Sequence, residues 1–379
     1  MALKYLAGNK ITGLSTDSKP TNQTEGSVFT ETDTLTISDY TSGAWVARSG
    51  VSTPMTTEGD MIYYTNGART RIAKGDNGDK LEIAKGNIYW TSQIPADRGV
   101  FGGGSTYSNV IDYIEIVTTG NATDFGDLTV GRHEIAAVDN GSRGCFAGGK
   151  NGTSPWKTNI IDYITIASAG NATDFGDLSG YNKFFDGVSN DTRGVFGGGD
   201  TGSNPWKLNI LEYITIATTG NVTDFGDLTQ ARKYLAGIDG STRGVFGGGG
   251  DPNTAVNTID YITISTTGNA TDFGDLSVAR GYMGGVSSDT RGVFAGHVAG
   301  NTMDYITIAT TGNATDFGDL TDNTRTPAGV DNNTRGCFGG GWRNGANVID
   351  YITIATTGNA TDFGDLTVAR GTGIGGVSG

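Results

Sequence analysis

Three short motifs recur six times, in the same order, over the last three-quarters of the chain. The motif Asp-Phe-Gly-Asp-Leu has its phenylalanine at Phe125, Phe175, Phe225, Phe273, Phe317 and Phe363. The motif Arg-Gly-Val/Cys-Phe begins at Arg98, Arg143, Arg193, Arg243, Arg291 and Arg335. The motif Asp/Glu-Tyr-Ile begins at Asp112, Asp162, Glu212, Asp260, Asp304 and Asp350. Copies lie 44 to 50 residues apart, a period typical of arrays in which each unit buries its core against its neighbours.

Each unit predicts four short antiparallel strands. In the unit from Val278 to Leu320, strands are expected over 281–286, 291–295, 304–308 and 316–320. The third alternates polar and apolar residues with period two, as a half-buried strand does. Residues Gly312-Asn313 can adopt positive φ and suit a tight turn before the fourth strand. Four strands per unit predict an all-β propeller with one blade per repeat.

The layout of the repeat resembles the kelch family. Kelch units have a glycine pair after the second strand, a tyrosine in the third and an aromatic residue near the end of the fourth. This chain has Gly247-Gly248-Gly249, Tyr261 and Phe273 in that order, with phenylalanine in place of the usual tryptophan. The first unit lacks its first strand, and residues 370–378 form a first strand with no successor. Kelch propellers close by pairing such halves, so the resemblance implies six complete blades over residues 96–379.

Composition narrows the function classes. Glycine supplies 63 of 379 residues and proline 7, which favours tight turns over helices. The net charge of −14 argues against a nucleic-acid partner, which needs clustered basic residues. We expect no membrane insertion, because no stretch approaches ~18 apolar residues, and no signal peptide at Met1. Cys145 and Cys337 occupy one repeat position and are expected in separate cores.

Residues 1–95 lack the repeat, and we expect two small β modules there, over 1–52 and 53–95. Alternating stretches at 34–38 and 61–64 indicate strands. Strings such as Gly43-Ala44-Trp45 and Gly59-Asp60-Met61-Ile62-Tyr63 resemble modules of bacteriophage tail-fibre and virion proteins. That resemblance implies a virion protein, made in the cytoplasm of a bacterial host, whose residues 1–95 contact other virion proteins. A homo-oligomer is left open, since phage fibres are often trimers but no coiled-coil pattern occurs.

The loops at one end of the propeller are the predicted ligand-binding face. The loop between the second and third strands varies among units, and it shares an end of the blade with the connection from the fourth strand to the next unit. Variable loops on rigid scaffolds carry function, and tryptophans beside cations suit sugar rings or protein hot spots. The alternative is that each tryptophan covers the core of its own blade. The candidate residues are Trp156, Lys157, Trp206, Lys207, Arg232, Arg280, Trp342 and Arg343, and Arg132, Arg325 and Arg370 lie in the same connections.

No catalytic, cofactor or metal site is expected. Two histidines cannot form the cluster of a kelch-like copper oxidase, and the boxes of propeller sialidases are missing. Asp124 and Asp127 give too few oxygens for calcium. The repeated arginine and carboxylate, for example Arg193 and Asp174, are expected to pair.

Three functions remain. The first is a non-enzymatic tail-fibre or receptor-binding protein whose propeller face binds a host surface glycan or protein. The second is a purely structural virion part at baseplate, collar or capsid. The third, least favoured, is a polysaccharide depolymerase.

Overall fold

A computed structural model of the chain describes residues 97–379 except 155, 205, 251–253, 298–299 and 343–346, and describes only the backbone of the strands in residues 1–96. The chain divides into two compact units, Met1–Ile94 and Pro95–Gly379. The described residues form strands, turns and loops, and they include no helix that could span a membrane.

The second unit is the expected six-bladed propeller. Each blade is a four-stranded antiparallel sheet, and in five of the six blades the strands follow sequence order from the axis outward. The inner strands are Ala136–Asp139, Asp186–Ser189, Ala236–Asp239, Gly284–Ser287, Ala328–Asp331 and Gly375–Ser378. The second strands are Arg98–Gly102, Arg143–Ala147, Arg193–Gly197, Arg243–Gly247, Arg291–His297 and Arg335–Gly339. The third strands are Val110–Glu115, Ile160–Thr165, Ile210–Thr215, Thr258–Thr263, Gly300–Thr307 and Val348–Thr353. The outer strands are Thr123–Asp127, Thr173–Asp177, Thr223–Asp227, Thr271–Asp275, Thr315–Asp319 and Thr361–Asp365.

The ring closes as the sequence predicts, within the blade that we number 1. Its inner strand, Gly375–Ser378, pairs antiparallel with Arg98–Gly102, and Val377 lies opposite Val100. The backbones of Arg98 and Gly379 exchange two hydrogen bonds of 2.9 Å. Blades 2 to 6 follow in chain order, so every inner strand has a neighbour on each side.

Six apolar clusters hold the blades together, and each cluster draws residues from two adjacent blades. In the cluster between blades 1 and 2, the outer-strand Phe125 packs with the second-strand Phe146 of the next blade. The same arrangement joins Phe363 of blade 6 to Phe101 of blade 1. Cys145 and Cys337 are buried, free thiols in two different clusters. The packing of the repeated phenylalanines between blades, and the placement of both cysteines, are therefore as expected.

The inner strands approach one another closely around the axis. Their second positions are occupied by Ala137 and five glycines: Gly187, Gly237, Gly285, Gly329 and Gly376. A Cβ atom at Gly329 would overlap the carbonyl oxygen of Gly285 in the neighbouring blade. The inner strands therefore approach backbone to backbone at this level, which explains why five of the six positions are glycine.

The last residues of the inner strands alternate between aspartate and serine around the axis. They are Asp139, Ser189, Asp239, Ser287, Asp331 and Ser378. The amide nitrogen of each serine donates to an aspartate of a neighbouring blade, with N–O distances of 2.5 to 2.8 Å. Burial raises the pKa of Asp239 well above its usual range, against hydrogen bonding from Ser189, and the neighbouring Asp139 and Asp331 raise it further.

The Gly-Asn-Ala/Val turn and the Asp-Phe-Gly-Asp motif join successive blades at the outer edge. The amides of Gly268 and Ala270, in the turn of blade 4, donate to the carbonyls of Phe225 and Asp227 in the outer strand of blade 3. The Asn269 side chain accepts a 3.1 Å bond from the Asp227 amide. All six junctions repeat these backbone bonds. The free edge of each outer strand is thereby covered by the next blade.

This docking predicts a large cost for a Cβ in the middle of the motif. Gly226 has φ 145°, and a Cβ there would lie 2.5 Å from the Gly268 carbonyl oxygen. We expect Gly226→Ala to lower the free energy of unfolding in urea by about 2 kcal/mol or more, from strain and displacement of the turn. Gly170→Ala is the matched control, since Gly170 holds the equivalent turn position in blade 2, nothing lies within 4 Å of its Cβ position, and its φ lies outside the left-handed region. Equal losses for the two variants would contradict the docking role.

Five strands of the first unit form one sheet, and four others form two hairpins. The sheet contains Lys4–Leu6, Lys10–Gly13, Val28–Glu31, Ile37–Thr41 and Ala44–Ala47. The hairpins are Met61–Thr65 with Ala68–Ile72, and Leu81–Ala84 with Asn87–Trp90.

Candidate functional site

Two sets of loops meet at one end of the propeller, which we call the upper face. One set joins the second and third strands of each blade, and the other joins the outer strand to the inner strand of the next blade. Because the strand order is the same in all blades, the corresponding loops lie at the same end of the axis. The turns between third and outer strands lie at the opposite end, the lower face.

Six residues just before the inner strands form a closed ring on the upper face. They are Glu134, Phe184, Tyr234, Tyr282, Thr326 and Gly373, and we call them the axial ring. Their φ angles lie between 48° and 66°. The amides of the first five donate to the carbonyl oxygen of the preceding member, at 2.8 to 3.2 Å. The Gly373 amide completes the circle by donating to the Thr326 hydroxyl at 3.3 Å.

Positive φ is unusual for the large side chains of this ring. A bulky residue in the left-handed region costs about 1–3 kcal/mol and persists only where its surroundings impose it. Here the hydrogen bonds around the axis impose it. Strained residues of this kind concentrate at ligand-binding sites, so the ring is a candidate site on geometric grounds.

The three aromatic members stack on one another across blades 3 to 5. The ring centroids of Phe184 and Tyr234 lie 4.1 Å apart, and those of Tyr234 and Tyr282 lie 3.7 Å apart with planes 20° from parallel. All three side chains are half-buried. The stack therefore presents aromatic surface at the upper end of the axis.

Charged side chains flank the stack in pairs. Lys183 Nζ lies 4.3 Å from the Phe184 ring centroid and 3.5 Å from a carboxylate oxygen of Glu134. Lys233 Nζ lies 5.3 Å from the Tyr234 centroid and donates to Asp200 at 2.9 Å. The lysines beside the stack are thus neutralised by carboxylates.

Three tryptophans of the upper-face loops are exposed. Trp156, Trp206 and Trp342 retain 50%, 59% and 63% of their accessible surface. Each of these side chains therefore keeps about half or more of its surface in contact with solvent. The guanidinium of Arg325 lies 5.9 Å from the Trp342 ring centroid.

Two of the candidate lysines connect loops of neighbouring blades. Lys157 Nζ donates to the backbone carbonyl of Thr201, and Lys207 Nζ donates to the Thr254 hydroxyl at 3.0 Å. Both contacts bind the loop that carries a tryptophan to the following blade. Arg343 lies outside the described residues.

Arg232 and Arg280 do not lie on an exposed ligand-binding face, which corrects the prediction from sequence. Both are 1% exposed, and their guanidinium groups bond at 2.8 Å to Asp260 and Asp304 in the third strand of the blade that follows them. Arg132 and Arg370 form the equivalent buried pairs with Asp162 and Asp112. Burial lowers the pKa of the Arg232 guanidinium, and Asp260 opposes the shift. These arginines anchor the interior of the propeller.

Two junctions depart from the buried pair. In blade 3 the position of the arginine is occupied by Asn182, whose side-chain Nδ2 donates to the Gly198 carbonyl at 2.8 Å. The position of the aspartate is occupied by Glu212. Burial raises the pKa of Glu212, against hydrogen bonding from Ser179. In blade 6 the position is Thr324, and Arg325 comes one residue later. Arg325 is therefore not a member of the buried arginine series. The sequence already indicates this, because the buried arginines lie seven residues after the phenylalanine of the Asp-Phe-Gly-Asp-Leu motif and Arg325 lies eight after Phe317.

The expected pairing of Arg193 with Asp174 is wrong. Arg193 lies over the Tyr213 ring at 4.1 Å and donates to the Ile264 carbonyl of the next blade at 3.1 Å. The equivalent arginines make the same backbone bond at every junction. The repeated arginine thus connects blades by binding a carbonyl on the lower face.

The axial ring was not identified from sequence. Its members are of five residue types, and at all of them except Gly373 the positive φ follows from ring closure instead of a local glycine or asparagine. The available signal was the recurrence of an aromatic residue two places after the arginine position, at Phe184, Tyr234 and Tyr282.

Comparison with known proteins supports the fold alone. No family model matches the chain, and no curated protein matches its sequence. Among solved structures, the chain is similar to one titled "Structure of YjhT", with a TM-score of 0.56 and 10% sequence identity. The match covers 70% of this chain and 94% of the other.

Proposed function

We propose that this chain is a non-enzymatic binding component of a bacteriophage particle, a tail-fibre or receptor-binding protein whose upper face docks on a glycan of the host surface. The observation that carries the proposal is the exposure of Trp156, Trp206 and Trp342 on loops of one face. Exposed tryptophans have a large apolar face and a polar N–H group, and they are suited to stack on sugar rings. Residues 1–95, which resemble virion modules, would attach the chain to the particle.

The arrangement of the face supports a binding role. The loops that carry Trp156 and Trp206 are held to the next blade by Lys157 and Lys207. A preorganised loop loses less conformational entropy when it binds. The tryptophans of blades 2 and 3 are therefore carried by loops of adjacent blades that a lysine contact connects.

Binding to bacterial surface polysaccharides is the direct test. We expect the purified full chain to bind at least one member of an immobilised panel of O-antigens, capsular polysaccharides and teichoic acids in biolayer interferometry. Trp156→Ala with Trp206→Ala should weaken this binding about tenfold or more, since truncating a hot-spot aromatic residue costs ~2 kcal/mol. Val117→Ala is the matched control, because Val117 is 58% exposed and lies on the lower face.

Other outcomes would replace the proposal. Absence of binding, with the propeller buried in the particle by immunogold labelling, would indicate the structural virion role. Release of reducing ends from a bound polysaccharide would indicate a depolymerase.

A further inference from the structure

The aromatic stack of the axial ring has two different ends. At Phe184 the stack ends on Lys183, whose Nζ lies 4.3 Å from the ring centroid. At Tyr282, within the described part of the chain, the only aromatic or cationic group against the ring is Tyr234. The stack therefore ends on a cation at Phe184 and has no such cap among the described residues at Tyr282, which we call its open end.

The next positions of the axial ring after Tyr282 carry small residues. They are Thr326 in blade 6 and Gly373 in blade 1, where the preceding blades carry tyrosine or phenylalanine. Thr326 follows Tyr282 directly, since its amide donates to the Tyr282 carbonyl at 2.8 Å. A fourth ring could occupy this position only if a ligand supplied it.

The surrounding charges favour a neutral ligand. The two lysines along the stack already face Glu134 and Asp200 at 3.5 and 2.9 Å. Arg325, directly before Thr326, is also engaged, since its guanidinium lies 5.9 Å from the Trp342 ring centroid. The Thr326 hydroxyl accepts a bond from the Gly373 amide and keeps its own proton to donate. A flat ring with one apolar face and several hydroxyl groups fits these features, because the face can stack while the hydroxyls bond at the edge.

We infer that a neutral pyranose residue binds at the open end of the stack, with its apolar face on Tyr282 and its edge over Thr326 and Gly373. The inference deepens the proposed function and rests on it. It adds a subsite at the axis to the outer subsites formed by the tryptophans.

Saturation-transfer NMR on the full chain tests this subsite. The probes are the methyl α- and β-glycosides of glucose, galactose and mannose. We expect at least one to receive saturation, and Tyr282→Asn to weaken its binding about tenfold. Asparagine tolerates positive φ better than tyrosine, so this variant removes the ring without adding strain. Tyr282→Phe keeps the stacking face and should bind within about twofold of the unmodified chain.

A second variant blocks the site instead of removing it. Thr326→Tyr places a protein ring where the sugar would lie, and we expect the same tenfold loss with Tyr282 intact. Tyr181→Ala is the control, because Tyr181 is 46% exposed in the same set of loops but lies outside the axial ring.

The inference is overturned if no glycoside binds, if Tyr282→Asn binds as well as the unmodified chain, or if only a glucuronide competes for the site. Polysaccharide binding that survives in Tyr282→Asn and Thr326→Tyr would remove the subsite and leave the proposed function standing. If the chain binds a glycoside at Tyr282 but binds no polysaccharide, the subsite stands and the proposed function is contradicted.

Discussion

Truncation of the chain after Ile374 is expected to abolish the folded propeller. The five residues removed include the inner strand of blade 1, in which Val377 is 1% exposed and packs with Val100 and Phe146. The deletion removes the ladder between Gly375–Ser378 and Arg98–Gly102 and also exposes the edge of the latter strand. Burial of one valine contributes ~1.5–3 kcal/mol and each net hydrogen bond ~1 kcal/mol. The total approaches the whole stability of a typical domain.

Thermal unfolding and size-exclusion chromatography measure this effect. We expect the truncated chain to lose its cooperative transition and to associate through the exposed edge. A synthetic peptide of residues 371–379, added in excess, should restore the transition by supplying the missing strand. A truncated chain that melts at the original temperature would show that the ring does not depend on this pairing.

The closure of the ring could be predicted from the repeat, because it follows from counting the strands in the first and last units. The first unit lacks one strand and the last residues supply one, so the partner of Val100 follows from topology alone. The packing of Phe125 against Phe146 was predictable for the same reason, since a blade cannot bury both of its faces by itself.

The roles of individual polar residues could not be obtained by counting. The arginine at the Arg193 position recurs in all six units and that at the Arg232 position in four, yet Arg232 is buried against Asp260 whereas Arg193 binds a carbonyl of the next blade. Recurrence shows that a residue matters to the repeat, but the partner depends on blade twist and on which side of the strand faces the interior. The axial ring illustrates the same limit, because its positive φ angles arise from bonds between residues about 50 apart, such as Phe184 and Glu134.

The buried arginine–aspartate pairs are expected to contribute strongly to stability, and blade 3, which lacks the arginine, provides a natural comparison. Arg232→Asn should lower the free energy of unfolding by about 3–5 kcal/mol, because it leaves the Asp260 carboxylate buried without its cation. Asp260 would keep only the bonds from the Thr229 hydroxyl at 2.6 Å and amide at 3.2 Å. Urea unfolding followed by tryptophan fluorescence measures the loss.

Blade 3 shows how the fold accommodates the same site without arginine, since it combines Asn182 with Glu212. Transplanting that combination as Arg232→Asn with Asp260→Glu should therefore recover part of the loss, giving a coupling energy of at least ~1 kcal/mol in a double-mutant cycle. In blade 3 the Glu212 carboxyl is hydrogen-bonded by Ser179, which is equivalent to Thr229, so a glutamate at position 260 can keep the same donors. Burial raises the pKa of Glu212, which favours the neutral form that a dry site tolerates. If the losses in unfolding free energy of the two single variants simply add in the double variant, the two positions do not interact. The stability of the junction would then not depend on the arginine–carboxylate pair as such.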